Sequence, residues 1–324
     1  IRSQPRSRGL GDVYKRQNED HVQKAVDGLQ AIVGRYPVSE AELTVDWPGF
    51  RLGRGTQSYL GYIIWDPVNS SRELILNDHC QFRWVIDTDS EKSGCKFFAE
   101  RALAGTLAGD ANLRPAEFHS NGYLITSSSA TYEEEIERPA AHPSSHFNDP
   151  RRTSSHEYFH AYQTAHSVQI FAEDESRSVV NKTGPNWLLE GSADYAALMV
   201  AVLEGWMYWI PQMREKMSDI QVDLAKYPNK SIEDCATPEQ RDTDPLAYSL
   251  CYDLGMWAVA YAISISSQQA VMFDYWDDLI AYGYEESFAR NIGVDLVEFY
   301  MLFEEFRKKS LDEKLDVISN QINE

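Results

Sequence analysis

No run in this 324-residue sequence reaches the roughly 18 uncharged apolar residues of a membrane-spanning helix. The nearest, residues 196–210, is short and contains Glu204. Basic charge is also scarce. Thirty Lys and Arg stand against 50 Asp and Glu, a net charge of −20. Such a chain lacks the basic face that nucleic acid or an anionic membrane requires, so neither is expected as a partner. Cysteine is limited to Cys80, Cys95, Cys235 and Cys251. Four cysteines allow three pairings. Cys80–Cys95 and Cys235–Cys251 would each close a short loop, and four free thiols are an equal alternative. Sequons at Asn69, Asn181 and Asn229 matter only where secreted proteins are glycosylated. Neither feature fixes the compartment, with a secreted or periplasmic setting preferred. Internal repeats are lacking, and there is no initiator Met. Residues 1–17 carry five basic residues, one acid and no apolar periodicity, and are expected to be a non-native or disordered leader that precludes reading a signal peptide. Without them the net charge falls to −24.

The remaining 300 or so residues have ample core material: 43% are hydrophobic and 18 are tyrosines. Residues 18–150 mix periodicities. Val22, Ala25, Val26, Leu29, Ile32 and Val33 recur at helical spacing over 20–35, and Tyr36-Pro37 ends that helix. Alternation predicts a strand at 42–47, richness in Ile, Leu, Val and aromatics predicts strands at 58–65 and 73–88, 122–132 is a further strand candidate, and 95–108 reads as a short helix. Residues 133–152 are acidic, then rich in Pro and His. His142 and His146 are four apart, but Pro143 argues against a helix and hence against a second metal site there. Residues 151–324 are mostly helical, interrupted by a polar loop over 227–244 marked by Pro228, Pro238 and Pro245.

The chemistry centres on His156-Glu157-Tyr158-Phe159-His160. On a helix, residues four apart share a face one turn up, so both imidazoles can reach one ion. Glu157 then flanks the metal without binding it, where a general base for a metal-activated water belongs. Asp149-Pro150 supplies an N-cap and a first helical proline, which places Glu157 well inside the helix rather than in a capping box with Ser154. Thirty residues after His160 comes a second helix, Asn186-Trp187-Leu188-Leu189-Glu190-Gly191-Ser192-Ala193-Asp194-Tyr195. Glu190 and Asp194 are its acidic exceptions, four apart on one face, and a carboxylate on an apolar face needs a partner. A metal ion would serve Glu190, and Asp194 could accept the second ring N–H of a ligand histidine. His166 has the spacing of a third histidine ligand, but Gln163 stands where a helix-breaking glycine would be needed.

These two motifs together resemble the gluzincin zinc metallopeptidases, the group of thermolysin, the zinc aminopeptidases and the bacterial collagenases. The resemblance covers about half the chain, from Ser154 onward. It implies Zn²⁺ held by His156, His160 and Glu190, with Asp194 behind them and Glu157 as base. It implies an α+β, zincin-like fold: a mixed-sheet N-terminal lobe, a mainly helical C-terminal lobe and the metal site in the cleft between. The strand near 122–132 would form the sheet edge above that cleft and pair with an extended peptide. Gluzincins add a Tyr or His donor for the oxyanion; here Tyr248 is chosen, with Tyr252 as the alternative. The expected activity is hydrolysis of a peptide or protein substrate. The lack of a Gly-x-Met-Glu-Asn anchor before the motif favours an endopeptidase. The alternatives are an inactive zinc-binding module that binds peptide, and a helical protein with a coincidental motif.

Overall fold

The computed structural model describes residues 23–24, 27–36, 50–52, 58–65, 109–114, 121–128, 149–166 and 183–321, with the backbone alone in the strands. The predicted strands at 42–47 and 73–88, the helix at 95–108, the leader, Cys80, Cys95, His142 and His146 lie outside the described residues. The chain divides into two compact units, Ile1–Tyr158 and Phe159–Glu324. The division falls inside one helix, α1 (Pro150–Ala165).

In the first unit, residues 27–33 are helical, within the apolar repeat over 20–35. This segment packs against the start of α1. Ser155 Oγ donates to the Gly28 carbonyl at 3.1 Å, and the Tyr158 hydroxyl donates to the Tyr36 carbonyl at 2.6 Å. Gly28 is required at this crossing, because a Cβ there would lie 2.2 Å from the Arg151 carbonyl oxygen. Four strand segments also belong to this unit: β1 (Phe50–Leu52), β2 (Ser58–Trp65), β3 (Gly109–Arg114) and β4 (Asn121–Ser128). Their order is β1-β2-β4-β3, with β2 and β4 parallel from Ser58↔Asn121 to Trp65↔Ser128. The segment expected to offer a free sheet edge to substrate is thus corrected. β4 has β2 on one side and β3 on the other, so its ladder groups are already used.

The second unit is built around two mainly apolar helices that are buried on nearly every side. α2 (Asn186–Leu203) is buried from Asn186 to Ala201 except at Leu189, and α5 (Gly255–Ile265) is buried along most of its length. Helices of this composition belong in a core. They approach through glycines: a Cβ on Gly191 would lie 2.3 Å from the carbonyl carbon of Gly255. Around them run α3 (Trp209–Lys226), α4 (Pro238–Thr243), α6 (Tyr275–Tyr282), α7 (Tyr284–Ile292), α8 (Leu296–Arg307) and α9 (Leu311–Ile318). Trp187 stacks on Phe299 at 5.5 Å, and Phe288 meets Phe299 edge-on at 5.2 Å. The indoles of Trp209 and Trp257 donate to the carbonyls of Ile318 and Met213, so these buried rings keep their polar atoms paired.

A π-helical segment, Tyr248–Leu254, runs straight into α5. Cys251 within it is bonded to Cys235, with Cα atoms 5.4 Å apart. Of the cysteine alternatives, this pairing is present.

The fold class is corrected. Among residues with described side chains, 79% are helical and none lies in a strand, so an N-terminal mixed-sheet lobe of an α+β, zincin-like protein is not shown. The composition of 58–65 and 122–132 forecasts extended backbone. A lobe needs in addition a core packed between sheet and helix, which extended backbone by itself does not specify. No helix among the described residues is long and apolar enough to cross a membrane.

Candidate metal centre

α1 begins where its sequence dictates. The Asp149 carboxylate accepts from the Arg151 amide at 3.0 Å, and Pro150 occupies the first helical position. Ser154 Oγ donates back to the Arg151 carbonyl at 3.2 Å, a mid-helix contact rather than a cap. The helix continues through Gln163. His156 and His160 therefore lie one turn apart on one face, with Glu157 beside them, partly exposed.

α2 begins with equal definition. Gly184 has φ 110°, a conformation glycine adopts without strain, and a Cβ there would meet the Tyr275 hydroxyl. That hydroxyl donates to the Thr183 carbonyl at 2.9 Å. Pro185 then precedes the first turn. One turn on, Glu190 is 6% exposed, and Asp194 follows a further turn along, 2% exposed. Gly191 draws α2 onto α5 at this level, which fixes the depth of the neighbouring carboxylate.

His156, His160 and Glu190 come together. One donor atom from each lies within 4.8 Å of the others, a group able to hold a metal ion. His160 Nε2 stands 3.1 Å from Glu190 Oε2. Two ligands on a tetrahedral ion with bonds near 2.0 Å are separated by about 3.3 Å. Nitrogen and oxygen donors at this spacing can share a metal ion or a proton. Buried carboxylates need partners. Glu190 has one on its other oxygen, where Arg241 Nη1 donates to Oε1 at 3.3 Å.

Two residues at this centre escape the motif reading. The first is Arg241, in a stretch expected to be loop. It sits on α4, whose Thr237 accepts from the Gln240 amide while Gln240 accepts from Thr237. Thr237-Pro238-Glu239-Gln240 is a capping box with proline at the first helical position, a signal that was present in the sequence. The second is Gln163. Its Oε1 lies 2.7 Å from His160 Nδ1, and its Nε2 donates to the Leu189 carbonyl and to Ser192 Oγ, both at 2.8 Å. No periodicity marks a glutamine for this role.

His166 does not join the group. Its Nδ1 lies 2.8 Å from the Tyr162 carbonyl and its Nε2 lies 3.0 Å from Asp277. Because Gln163 continues the helix, His166 is carried onto a different face and a turn and a half beyond His160. Tyr248 opens the π-helical segment, 46% exposed, with its ring stacked on Tyr252 at 5.2 Å. The two candidate oxyanion donors thus form one aromatic pair. That segment packs against α2. Compared with known protein families, with curated proteins and with solved structures, the chain matches none.

Proposed function

We propose that this chain is a zinc-dependent metallopeptidase of the gluzincin kind. The convergence of His156, His160 and Glu190 within 4.8 Å, from two helices 30 residues apart in sequence, is the observation that supports it. A bound Zn²⁺ would supply Lewis acidity and make a water acidic enough to deprotonate near neutral pH. The chain's own residues do the rest. Glu157 takes a proton from the attacking water and passes it to the leaving amine. Tyr248, with Tyr252 beside it, donates a hydrogen bond to the oxyanion, since a phenol remains a neutral donor at pH 7. Arg241 restrains Glu190 by holding its second oxygen. The net charge of −20 argues against nucleic acid, and the gluzincin resemblance makes a peptide or protein the substrate class.

The test is digestion of a broad peptide library with and without chelator, run on the wild type and on Glu157→Gln. The expected result is chelator-sensitive cleavage by wild type. Glu157→Gln should bind as much zinc and cleave several orders of magnitude more slowly, on the order of 10³-fold or beyond. Wild-type protein that binds zinc but cleaves nothing overturns the hydrolase reading in favour of a peptide-binding module. Wild-type protein that binds no zinc overturns both.

A further inference from the structure

We infer that Gln163 is a positioning residue that sets the tautomer of His160 and thereby directs its Nε2 lone pair toward Glu190. The inference rests on the metal reading above. The two ends of the Gln163 amide are distinguished by their neighbours. One end faces the Leu189 carbonyl, which only accepts. It also faces Ser192 Oγ, whose own hydrogen is given to the Leu188 carbonyl. Two acceptors at one end demand the NH₂ group there. The carbonyl oxygen of Gln163 must then face His160 Nδ1, 2.7 Å away. An oxygen acceptor at that distance requires Nδ1 to carry a proton. In the neutral ring Nε2 is then a bare lone pair, and it points at a carboxylate oxygen 3.1 Å away. Two acceptors facing each other in a part-buried place repel unless a proton or a metal ion lies between them. The arrangement is therefore built to be completed by an electrophile at Nε2.

The same amide ties both ligand helices together. Gln163 is 2% exposed on α1, and its NH₂ group grips the backbone of α2 at Leu189, the residue immediately before Glu190. One side chain thus aims a histidine and holds the carboxylate's helix in register with it. Outer partners of this kind typically govern 10–100-fold in metal affinity.

The test uses the full chain with zinc as the probe, in competition with a chelator of known affinity, and two substitutions that separate the two ends of the amide. Gln163→Met removes both ends. Gln163→Glu keeps an acceptor for Nδ1 and loses the grip on Leu189. The expected result is that Gln163→Met weakens zinc binding 10–100-fold and Gln163→Glu weakens it less, because the acceptor at Nδ1 is kept while the grip on Leu189 is lost. Equal weakening in both, or none in Gln163→Met, overturns the inference. Should Gln163→Met fail to fold by circular dichroism, ¹⁵N resonances of His160 in the zinc-loaded wild type decide. Nδ1 protonated with Nε2 ligated supports the assignment, and Nδ1 ligated overturns it. If the wild type takes up no zinc, the metal reading fails separately. The neutral ring of the metal-free protein then decides the tautomer alone: a proton on Nδ1 supports the assignment, and one on Nε2 overturns it.

Discussion

Gly191 and Gly255 touch backbone to backbone, so closely that a Cβ on the first would overlap the carbonyl carbon of the second at 2.3 Å. Glu190 is the residue before that contact, and its carboxylate depth depends on it. Gly191→Ala is expected to push α2 off α5 and cost about 1–3 kcal/mol. In a chain of this size that lowers the melting temperature by roughly 2–4 °C per kcal/mol. Zinc affinity should fall with it, because the glutamate moves relative to the two imidazoles. Thermal melts paired with chelator competition check both effects. An alanine variant with wild-type stability would mean the helices are not held at this distance.

Removing any one of His156, His160 or Glu190 as alanine should take bound zinc from about one per chain to near none. Elemental analysis after dialysis measures this directly. Zinc at a hundred times its Kd should also stabilise the wild type by about 2.7 kcal/mol and the three variants hardly at all. A histidine variant that kept its zinc would show that the ion is held elsewhere.

Acid should loosen the entry to the π-helical segment. Burial pushes the Asp244 carboxyl up, but the bond from Lys230 and the Leu246 amide outweigh it and hold the carboxyl below its ordinary value. Lys230 is raised in turn, first by its hydrogen bond to Asp244 and next by Asp234. A carboxyl depressed in the folded state contributes stability above its unfolded pKa, about 3.9, and loses it as pH falls through the lower folded value. The raised lysine contributes below its unfolded pKa, about 10.4, and loses that as pH rises past it. Urea titrations of Lys230→Met and wild type should therefore differ most between these limits and converge as pH falls through the lowered Asp244 value. A difference that stayed constant into acid would dismiss the pair as its source.

The Cys235–Cys251 bond closes a loop of 16 residues that carries both Arg241 and Tyr248. The double variant Cys235→Ser, Cys251→Ser is expected to lose about 3 kcal/mol, the chain-entropy value for a loop of this length. Denaturant melts of the two proteins measure it. If Tyr248 serves catalysis, the variant should also lose turnover at unchanged zinc content. Loss of zinc instead would place the effect on Arg241 and Glu190.

The candidate centre was readable in sequence to the extent that it obeys helix periodicity. His156 and His160 share a face because Asp149-Pro150 starts α1 and Gln163 continues it. Glu190 stands out because it interrupts an apolar helix. Gln163 and Arg241 were not found: Gln163 stands three residues from His160 on the same helix, a spacing that by itself marks no role, and Arg241 reaches Glu190 from another helix. The expected mixed-sheet lobe failed for a related reason. Alternating residues report where backbone is extended, but which strands pair, and what covers them, is decided by contacts distant in sequence. The position of 121–128 between two other strands shows that limit.

The group behind His160 is a carboxamide where a carboxylate would be the commoner choice. A carboxamide does not change protonation as the solution acidifies, so its hold on the ring is indifferent to pH where an aspartate's would fail. It also adds no negative charge. Were a divalent ion bound, two neutral imidazoles and one carboxylate would leave it an excess of one positive charge, and a centre in that state would draw electron density from a carbonyl more strongly than a neutralised one.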